Sequence, residues 1–582
     1  MSGTRFEPTP QQRDIICHEG SAFVVACPGA GKTRVIIERA CELLWNMPPG
    51  RGIAFLSFTR NAVSELETRL RHQLLLPAPA FPNFIGTFDS FVWQFLVAPF
   101  GLSGCNNRPR LIPDMKNWDV IPFDRARALP LACFSASSGA IDQAAAKRIG
   151  FDTTVKAEYQ LRAYSTAAIN IRARARERGE LGFDEARMIA LERIDNSVTA
   201  PSIAAALSSR FGEVIVDEAQ DCNVDDLRIV SWLLDAGIPV KIICDPHQSI
   251  YKFRGGVTDH IVSFADGFKA HERKELQGNF RSSPNICKAI AMLRPLSAQS
   301  QVDEPLGKFK DVSYPVRVLS YSGAVPSSIG TIFVGLVREI GEDISECPVL
   351  AATKASGAAA VGKLRHNGRD DATFRLAKAV MDFHFPANFD DVKSSLEKAH
   401  QVVLEIEGAL SSSSYHKYLS DNDITPVSWR PKVIQILRDL RFDPATFHDA
   451  RSWHNHAKSL MGHIVVVPAH GASISQKLKW NADLETLLSI APAEGAMART
   501  IHSVKGLEFP AVCVVTTTRT AKGIIDFLET GASPEQAEDA RELYVAASRT
   551  QKLLVFASPR SQANRLCSHL RKQGAEVTLT EI

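Results

Sequence analysis

The stretch VVACPGAGKTRVI, residues 24–36, decides the fold of the N-terminal part of the chain. A short apolar run breaks into a glycine-rich turn, and Lys32, Thr33 and helix-forming residues follow. Strand, turn and helix in this order are typical of a phosphate-binding loop, because backbone N–H groups at a helix N-terminus attract anions. The alternative is a glycine-rich turn that binds no ligand.

The residue types in this loop suit a nucleoside triphosphate and its cation. Glycine allows the backbone to approach the phosphates closely. Lys32 carries charge for the β- and γ-phosphate oxygens, and the Thr33 hydroxyl is a ligand for Mg²⁺. Ala26 stands where the full pattern has glycine. The predicted nucleotide-binding segment comprises Ala26, Cys27, Pro28, Gly29, Ala30, Gly31, Lys32 and Thr33.

A second apolar run, in FGEVIVDEAQDCN, ends in two carboxylates. Residues 214–216 predict a strand, and Asp217 and Glu218 follow at its carboxyl end, where open α/β sheets bind ligands. We expect Asp217 to hold Mg²⁺ and Glu218 to orient and deprotonate the attacking water. An Asp-Glu pair after a strand is by itself weak evidence of a hydrolytic site. The evidence becomes stronger because a phosphate-binding loop lies in the same α/β segment.

Composition sets broad limits on the protein class. A chain of 582 residues is long enough for about three or four folding units. Its 45% apolar and 23% charged residues are ordinary for a globular protein, and a net charge of +3 neither demands nor excludes a nucleic-acid partner. The 11 cysteines form no C-x-x-C pair, which argues against a zinc ribbon or a disulfide scaffold. We expect a soluble, cytoplasmic, multidomain protein without a membrane span.

Short valine- and isoleucine-rich runs recur along the chain and alternate with helical patterns. They fall into two clusters, residues 22–275 and 276–582, which predict parallel sheets with both faces covered. Each cluster is interrupted by a long segment with little strand signal, at about residues 101–205 and 366–490. Insertions of this size usually form subdomains of their own.

Further motifs follow in a fixed order. They are SFTRNAVSEL, IGTFDSF, CDPHQSIYKFRGG (244–256), LQGNFRSSPNI (276–286), RTIHSVKGLEFPAV (499–512) and EDARELYVAASRTQK (538–552). Together with the phosphate-binding loop and DEAQD, they resemble the motifs of superfamily 1A DNA helicases of the UvrD/Rep/PcrA type. The resemblance covers nearly the whole chain.

The resemblance implies an α/β fold with two RecA-like parallel-sheet P-loop domains, each carrying a mainly helical insertion. The implied domains are 1A (1–100 and 206–275), insertion 1B (101–205), 2A (276–365 and 491–582) and insertion 2B (366–490).

The same resemblance places ATP between the two RecA-like domains. Arg281 and Arg549 would meet the γ-phosphate from the second domain, a role that suits the planar, permanently charged guanidinium. Gln248 would contact the γ-phosphate and the attacking water. The implied catalytic set is Lys32, Asp217, Glu218, Gln248, Arg281 and Arg549.

Other residues match positions around the nucleoside. Gln12 would read the adenine edge, and Phe280 would stack on the base in place of a tyrosine. Arg34 would lie along the nucleotide, Glu508 would contact the ribose, and Gly506 belongs to the same implied site.

DNA contacts are also implied by the resemblance. A motor that walks along DNA uses stacking platforms and phosphate contacts rather than base readout. The implied DNA-binding residues are Phe58, Thr59, Thr87, Phe88, Tyr251, Phe253, Arg254, His502 and Ser503. Phe253 stands where tryptophan is usual, and Asp89 replaces the usual histidine after TF. For any single aromatic residue, the alternative is a buried core position.

Two charged segments suggest sites of another kind. Arg172, Arg174, Arg176 and Arg178 alternate along one predicted helix, which spreads them over opposite faces and favours a solvated helix. The histidines at 448, 454, 456, 463 and 470 suggest a metal site, but their spacing fits neither a zinc helix nor a ββα nuclease core. We favour ordinary structural histidines.

The resulting hypothesis is an ATP-dependent helicase that moves 3′ to 5′ on single-stranded DNA and at single-strand/duplex junctions, in repair or replication. An alternative is a DNA-stimulated ATPase subunit that regulates a separate nuclease, as in Gabija-type anti-phage systems, which the short build also resembles. A third is an RNA-directed motor, against which the last two motifs argue.

Overall fold

The structure is a computed structural model of the chain. It describes residues 7–74, 81–124, 126–250, 258–362, 371–384, 389–410, 415, 418–419, 422–466, 471–489, 496–532 and 534–582. The chain forms two compact units. The first unit comprises Met1–Leu111, Phe183–Lys363 and Ala496–Ile582, and the second comprises Ile112–Gly182 and Leu364–Gly495.

The first unit contains a six-stranded, wholly parallel sheet with the order β6-β1-β5-β4-β2-β3. Its strands are β1 Ala22–Ala26, β2 Gly52–Ser57, β3 Phe84–Thr87, β4 Phe211–Val216, β5 Val240–Cys244 and β6 Arg273–Leu276. All residues of β2 and β5 are buried, as expected of central strands covered by helices on both faces.

A second six-stranded sheet in the same unit is also wholly parallel, with the order β9-β8-β10-β11-β7-β12. Its strands are β7 Val316–Tyr321, β8 Val349–Ala351, β9 Ala498–Thr500, β10 Phe509–Val515, β11 Thr550–Pro559 and β12 Val577–Glu581. The predicted pair of parallel-sheet, RecA-like domains is therefore confirmed.

Helices cover the faces of the two sheets. In the first unit they are Pro10–Cys17, Lys32–Asn46, Arg60–Leu74, Phe88–Phe91 with the π-helix Val92–Val97, Phe183–Asp195, Ala200–Arg210, Val224–Asp235, Thr258–Ala265, Pro284–Ala291, Ser328–Glu339, Lys354–Ala360, Ala521–Thr530, Pro534–Ala547 and Arg560–Leu570. Their apolar faces and the strands form three buried clusters around Val24, Val514 and Val349.

The second unit is mainly helical, as predicted. Its helices are Gln143–Arg148, Glu158–Glu177, Ala372–His384, Phe389–Ile406, Pro426–Asp439, Ala450–Ile464, Ile474–Lys477 and Asp483–Ser489. Asp119–Val120 pairs antiparallel with Leu129–Pro130. One apolar core surrounds Trp118 and Tyr164, and another surrounds Trp429 and Trp453.

Both bounds of the predicted first insertion, residues 101 and 205, differ from those of the compact second unit, which begins at Ile112. The predicted first insertion extends to residue 205, whereas the compact second unit leaves the chain at Gly182. The helix Phe183–Asp195 is bound to the first unit through Arg193, whose Nη1 donates to the carbonyls of Leu96 at 2.5 Å and Val97 at 2.7 Å. The composition of the helix Phe183–Asp195 resembles that of the preceding helix, so only its packing assigns it to the first unit.

The charged segments of the second unit have structural partners. Arg172 donates to the carbonyls of Phe134 at 2.9 Å and Ser135 at 3.1 Å, and Arg178 forms an ion pair with Glu180 at 2.8 Å. Arg172 therefore ties its helix to a neighbouring turn.

Three of the predicted histidines, His454, His456 and His463, lie beside backbone carbonyls. His454 Nε2 is 3.0 Å from the Leu478 oxygen, and His463 Nδ1 is 2.6 Å from the Ser459 oxygen. His470 lies outside the described residues. Among the described residues, no group of three or more histidine, cysteine or acidic side chains is arranged to hold a metal ion. In the same part of the chain, no helix combines the length and apolar character needed to cross a bilayer.

Candidate active site

A cavity of about 950 Å³ lies in the first unit, between its two sheet domains. Its walls come from the phosphate-binding loop and the end of β4 on one side and from the segments around Phe280, Gly506 and Arg549 on the other. It is lined by all six predicted catalytic residues and by Pro28, Gly29, Ala30, Gly31, Thr33, Arg34, Phe280, Gly506 and Glu508. The structure thus brings these predicted residues together, whereas Gln12, Ala26 and Cys27 of the predicted nucleotide-binding set do not line the cavity.

The phosphate-binding loop connects β1 to the helix Lys32–Asn46. Gly29 and Gly31 have φ angles of 72° and 75°, which L-residues with a side chain rarely adopt. A Cβ atom on Gly29 would lie 2.6 Å from Asn279 Oδ1 and 2.7 Å from Arg281 Cβ. Glycine is therefore required both by the turn and by the close approach of the second domain. The first N–H groups of the helix lack helical partners and suit an anion.

Two predicted members of the loop do not line the cavity. Ala26 is the last residue of β1 and is 1% exposed. The Cys27 thiol lies 3.7 Å from the Gly278 carbonyl oxygen, to which it donates. Both side chains therefore pack beneath the loop, where the small Ala26 side chain stands in place of the usual glycine.

Lys32 faces the two carboxylates across the loop. Its Nζ is 3.9 Å from Glu218 Oε1. Burial lowers the pKa of Lys32, but the charges of Glu218, Asp245 and Asp217 outweigh this effect and raise it. The ammonium group is therefore charged at neutral pH.

Asp217 and Glu218 sit at the carboxyl end of β4. The Asp217 N–H donates to the Leu56 carbonyl at 2.9 Å, and Asp217 Oδ1 accepts from the Glu218 N–H at 2.9 Å. Burial and the charge of Glu218 raise the pKa of Asp217. Although burial opposes it, the cationic groups of Lys32, Lys505 and Arg549 lower the pKa of Glu218. Glu218 is therefore the ionised member of the pair.

Glu218 has an unusual backbone conformation. Its φ angle is 56°, in the left-handed region, which costs a non-glycine residue about 1–3 kcal/mol. Its Oε2 accepts from Gln220 Nε2 at 2.5 Å. The strained backbone and this hydrogen bond hold the carboxylate in one orientation at the cavity wall.

The second domain contributes two arginines. Arg281 Nε donates to Glu508 Oε2 at 2.8 Å, and its Nη1 donates to the Ser548 carbonyl at 2.9 Å. Arg549 is 3% exposed, and its Nε donates to the Val545 carbonyl at 3.1 Å. Burial, and next the charge of Arg281, lower the pKa of Arg549 to about 10, so it stays charged at neutral pH. Two adjacent cations on this wall favour an anionic ligand.

Gln248 connects the two domains at the cavity. Its Oε1 accepts a hydrogen bond from Arg549 Nη2, and its Nε2 donates to Asp245 Oδ2 at 2.8 Å. The Tyr544 hydroxyl donates to the same carboxylate oxygen at 3.3 Å. Both ends of the Gln248 amide are thereby oriented, and its predicted contact with a γ-phosphate stays a prediction.

The predicted nucleoside end is built from Gln12 and Phe280. Gln12 is 2% exposed, and its Nε2 donates to the Ala30 carbonyl at 3.1 Å. Phe280 is 37% exposed, and its N–H donates to the Gly29 carbonyl at 2.8 Å. The position of Gly31 lies close to both side chains, since an added Cβ would be 3.2 Å from Gln12 Nε2. An exposed ring beside the loop is suited to stacking on a base.

A buried ion pair at the site was missed by sequence reasoning. Lys505 Nζ donates to Asp221 at 2.7 Å and 2.6 Å, and it also lies 3.3 Å from the Gln248 carbonyl oxygen, to which it donates. The two side chains are 4% and 0% exposed. Their positions inside HSVKGLEF and at the end of DEAQD were the available signal.

Breaking this pair should destabilise the first unit. We expect Asp221→Asn to lower the free energy of unfolding by about 3–5 kcal/mol, because it leaves the buried Lys505 without its hydrogen-bonded counter-charge. Asp14→Asn is the matched control, since Asp14 is 56% exposed and pairs with Lys274 at 2.8 Å; it should cost less than about 1 kcal/mol. Urea denaturation measures both, and equal shifts would contradict the expectation.

The predicted DNA contacts begin at the carboxyl ends of β2 and β3. Ser57 and Thr87 are paired in register, so Phe58 and Phe88 follow side by side. Their rings stack at 5.5 Å, and Phe88 is 1% exposed. Phe88 therefore supports Phe58 from beneath in this conformation, and Phe58 and Thr59 are the more accessible pair.

The remaining predicted DNA contacts divide into two groups. His502 Nε2 lies 3.2 Å from the Ile250 carbonyl oxygen, and the Ser503 hydroxyl donates to the Thr500 carbonyl at 2.7 Å. Tyr251, Phe253 and Arg254 lie outside the described residues. Their roles stay predictions.

Comparison with known proteins agrees with this architecture. The model of the UvrD/REP helicase N-terminal domain matches residues 8–269, and that of the UvrD-like helicase C-terminal domain matches residues 493–561. The two models together match more than half of the chain.

The individual relatives that match this chain have low sequence identity to it. YjcD of Bacillus subtilis, named as a candidate ATP-dependent DNA helicase, is 22% identical over 97% of this chain and 80% of its own length. The ATP-dependent DNA helicase UvrD1 of Mycobacterium tuberculosis is 29% identical over 48% of this chain and 38% of its own length. PcrA of Bacillus subtilis, named likewise, is 25% identical over 59% of this chain and 47% of its own length. The chain belongs to the UvrD/Rep family of ATP-dependent DNA helicases.

Proposed function

We propose that this protein is a motor that hydrolyses ATP to move 3′ to 5′ on single-stranded DNA and to separate the duplex ahead of it. The observation that carries the proposal is the composition of the cavity. The phosphate-binding loop and carboxylates of one RecA-like domain face Arg281 and Arg549 of the other. The direction of movement rests on the family resemblance.

Thr33 and Asp217 are the residues we propose to hold Mg²⁺. Both line the cavity, and a hydroxyl with a carboxylate is the oxygen donor set that Mg²⁺ prefers. Mg²⁺ bound with ATP supplies charge neutralisation at the phosphates.

The chain's own residues would perform the hydrolytic step. Glu218, ionised and oriented by Gln220, takes a proton from the attacking water. Lys32, Arg281 and Arg549 neutralise the charge that develops on the transferred phosphoryl group. Gln248 orients the water, because Asp245 and Arg549 fix its amide.

Movement would come from closure of the cleft around the nucleotide. Two contacts between the domains lie at this site, Lys505 with Asp221 and Arg549 with Gln248. β4 pairs with β2, and β2 pairs with β3, so a shift of the catalytic carboxylates at the end of β4 is transmitted through β2 to Phe58 and Thr87. Stacking on Phe58 suits a strand of any sequence.

The cellular role is a further part of the proposal. We propose work on DNA repair or replication intermediates, in the cytoplasm, where the 11 cysteines can stay free thiols.

The first test compares ATP hydrolysis with and without single-stranded DNA. Wild type should be stimulated by an oligo(dT) strand and less by the same length of oligo(U), and Lys32→Ala should abolish both rates because the phosphate charge is no longer neutralised. Lys522→Ala, which removes an exposed lysine paired with Asp526, is the control and should behave as wild type. Hydrolysis indifferent to DNA would contradict the motor.

Direction is tested separately with two partial duplexes that differ only in their single-stranded tail. Unwinding of the duplex with a 3′ tail, and not of the duplex with a 5′ tail, is expected. The reverse preference would contradict the proposed direction.

A further inference from the structure

A buried arginine beside the predicted DNA-contact loop has no role in the site described above. Arg187 lies on the helix Phe183–Asp195, and its side chain is 14% exposed. Its Nε donates to Asp226 Oδ1 at 2.8 Å, and its Nη2 donates to Asp89 Oδ1. One planar guanidinium therefore bridges two carboxylates that come from different parts of the domain.

The first carboxylate belongs to the element that follows the catalytic pair. From Glu218 the chain passes through one short turn to Asn223, which caps the helix Val224–Asp235. Asp226 completes this cap, because its Oδ2 accepts from the Asn223 N–H at 3.1 Å. The Asp226 side chain is 3% exposed, so Arg187 contacts a buried carboxylate eight and nine positions after the catalytic residues Glu218 and Asp217.

The second carboxylate belongs to the loop predicted to contact DNA. Asp89 directly follows Thr87 and Phe88 at the end of β3. The Thr87 hydroxyl accepts from the Ser90 N–H at 3.2 Å, which closes a compact turn around Asp89. Asp89 is 37% exposed on its side chain, so it lies at the edge of the surface where the strand would run.

The charges around Arg187 explain why an acid is tolerated there. Burial lowers the pKa of Arg187, but the carboxylates of Asp226, Asp89 and Asp184 outweigh it and raise the pKa. The guanidinium thus offsets part of the negative charge of Asp89, which would otherwise repel a phosphate backbone. Asp89 departs from the usual histidine of its motif, and Arg187 is the partner that this departure requires.

The same helix is fixed to the segment after the loop at a second point. Arg193, nearly two turns further on, donates to the carbonyls of Leu96, Val97 and Gly101. The helix Phe183–Asp195 is therefore held along residues 89–101 by two arginines. Of these two, Arg187 also contacts Asp226, on the helix that follows the catalytic carboxylates.

We infer that Arg187 is a positioning residue that holds the segment Thr87–Phe91, the end of β3 and the short helix after it, in its DNA-binding position by tying Asp89 to Asp226, and so links DNA contact to the catalytic carboxylates. This inference rests on the proposed function. Arg187 contacts neither ATP nor DNA in this role. It acts through the geometry of the loop, for which a bridging fork is better suited than the point charge of a lysine.

The test measures three quantities for each variant: the ATPase rate without DNA, the oligo(dT) concentration for half-maximal stimulation, and the maximal stimulation. Asp89→Ala leaves the buried Arg187–Asp226 pair intact and so spares folding. We expect it to raise the half-maximal DNA concentration about 5-fold or more, the lower end of typical coupling factors. The rate without DNA should stay within about twofold, since no group that touches ATP changes.

A second variant and a double variant separate bridging from simple charge. Arg187→Lys keeps a cation for Asp226 but cannot bridge to Asp89, so it should reproduce the Asp89→Ala phenotype. Because both changes break one link, the double variant should be no worse than the more affected single variant.

The matched control is an ion pair that joins the same two helices at a distance from Asp89. Asp195 and Arg228 form an ion pair at 2.8 Å, with exposed fractions of 58% and 48%. Asp195→Ala should leave all three quantities near wild type, because an exposed pair contributes less than about 1 kcal/mol.

The outcomes are distinguishable. If oligo(dT) does not stimulate wild type, the proposed function fails, whatever the variants do. If wild type is stimulated and Asp89→Ala and Arg187→Lys match Asp195→Ala, the inference is overturned. If Asp89→Ala binds DNA more tightly while Arg187→Lys binds it more weakly, Arg187 is a direct phosphate contact and the bridging role is overturned. A parallel fall in the rate without DNA would also overturn it.

Discussion

Replacement of Arg549 by alanine is expected to lower ATP turnover by about 10³-fold or more, the range seen for arginine fingers in comparable NTPases. Arg549 is anchored from the second domain by the Val545 carbonyl and reaches Gln248 of the first. Alanine removes the cation that spreads over the developing phosphoryl charge and also frees the Gln248 amide. ATP affinity should fall much less, because Lys32 and the loop remain.

The measurement is a steady-state ATPase assay with saturating oligo(dT), together with binding of a fluorescent ATP analogue. Arg565→Ala is the matched control in the same domain, since Arg565 forms surface ion pairs with Asp526 and Glu529. It should leave turnover within about twofold of wild type. Equal losses in both variants, or full turnover in Arg549→Ala, would remove Arg549 from the catalytic set.

Arg549→Lys separates charge from shape. Lysine keeps a positive group but cannot donate to Val545 and Gln248 in the fork geometry of arginine. We expect it to recover only part of the lost turnover. Complete recovery would show that charge alone is required.

Glu218→Gln is expected to lower turnover by about 10²–10⁴-fold, the usual contribution of a general base. Glutamine has the same size and still offers an oxygen to Gln220, so the wall of the cavity should be preserved. It cannot take a proton from water. The variant should therefore bind ATP and single-stranded DNA and remain in the ATP-bound state.

Single-turnover hydrolysis and DNA binding in the presence of ATP measure this effect. Glu65→Gln is the matched control, because Glu65 lines the same cavity and pairs with Arg69 on its own helix. It should retain turnover within a few-fold, as an exposed helical pair contributes about 0.3–0.5 kcal/mol. If Glu65→Gln were the more damaging change, the assignment of the base would be wrong.

Local sequence patterns predicted the parts of the site that lie close together in the chain. The order of strand, glycine turn and helix at residues 22–46 predicted the phosphate-binding loop, and the structure has β1, the loop and a helix there. The apolar run before Asp217 predicted β4 in the same way. Such elements form because short-range periodicity and glycine conformation decide them.

The convergence of the two domains came from resemblance rather than from pattern. Nothing local to NFRSS or AASRT indicates that Arg281 and Arg549 share a wall with Lys32. The structure brings them together because both parallel sheets present their connecting loops to one cleft. The motif order predicted this arrangement, and the packing of the first unit confirms the fold that it requires.

By itself the sequence determined the two α/β clusters, the phosphate-binding loop and the carboxylates at the end of β4. Only the tertiary structure decided the pairing of Lys505 with Asp221, 284 residues apart, and of Arg187 with Asp89, 98 residues apart. It also decided that residues 183–205 pack on the first unit and that Phe88 lies beneath Phe58. The physical reason is that the local sequence does not distinguish a buried charge or aromatic ring in a helix or turn from a solvated surface residue. Long-range packing alone excludes water from such a side chain and supplies its partner.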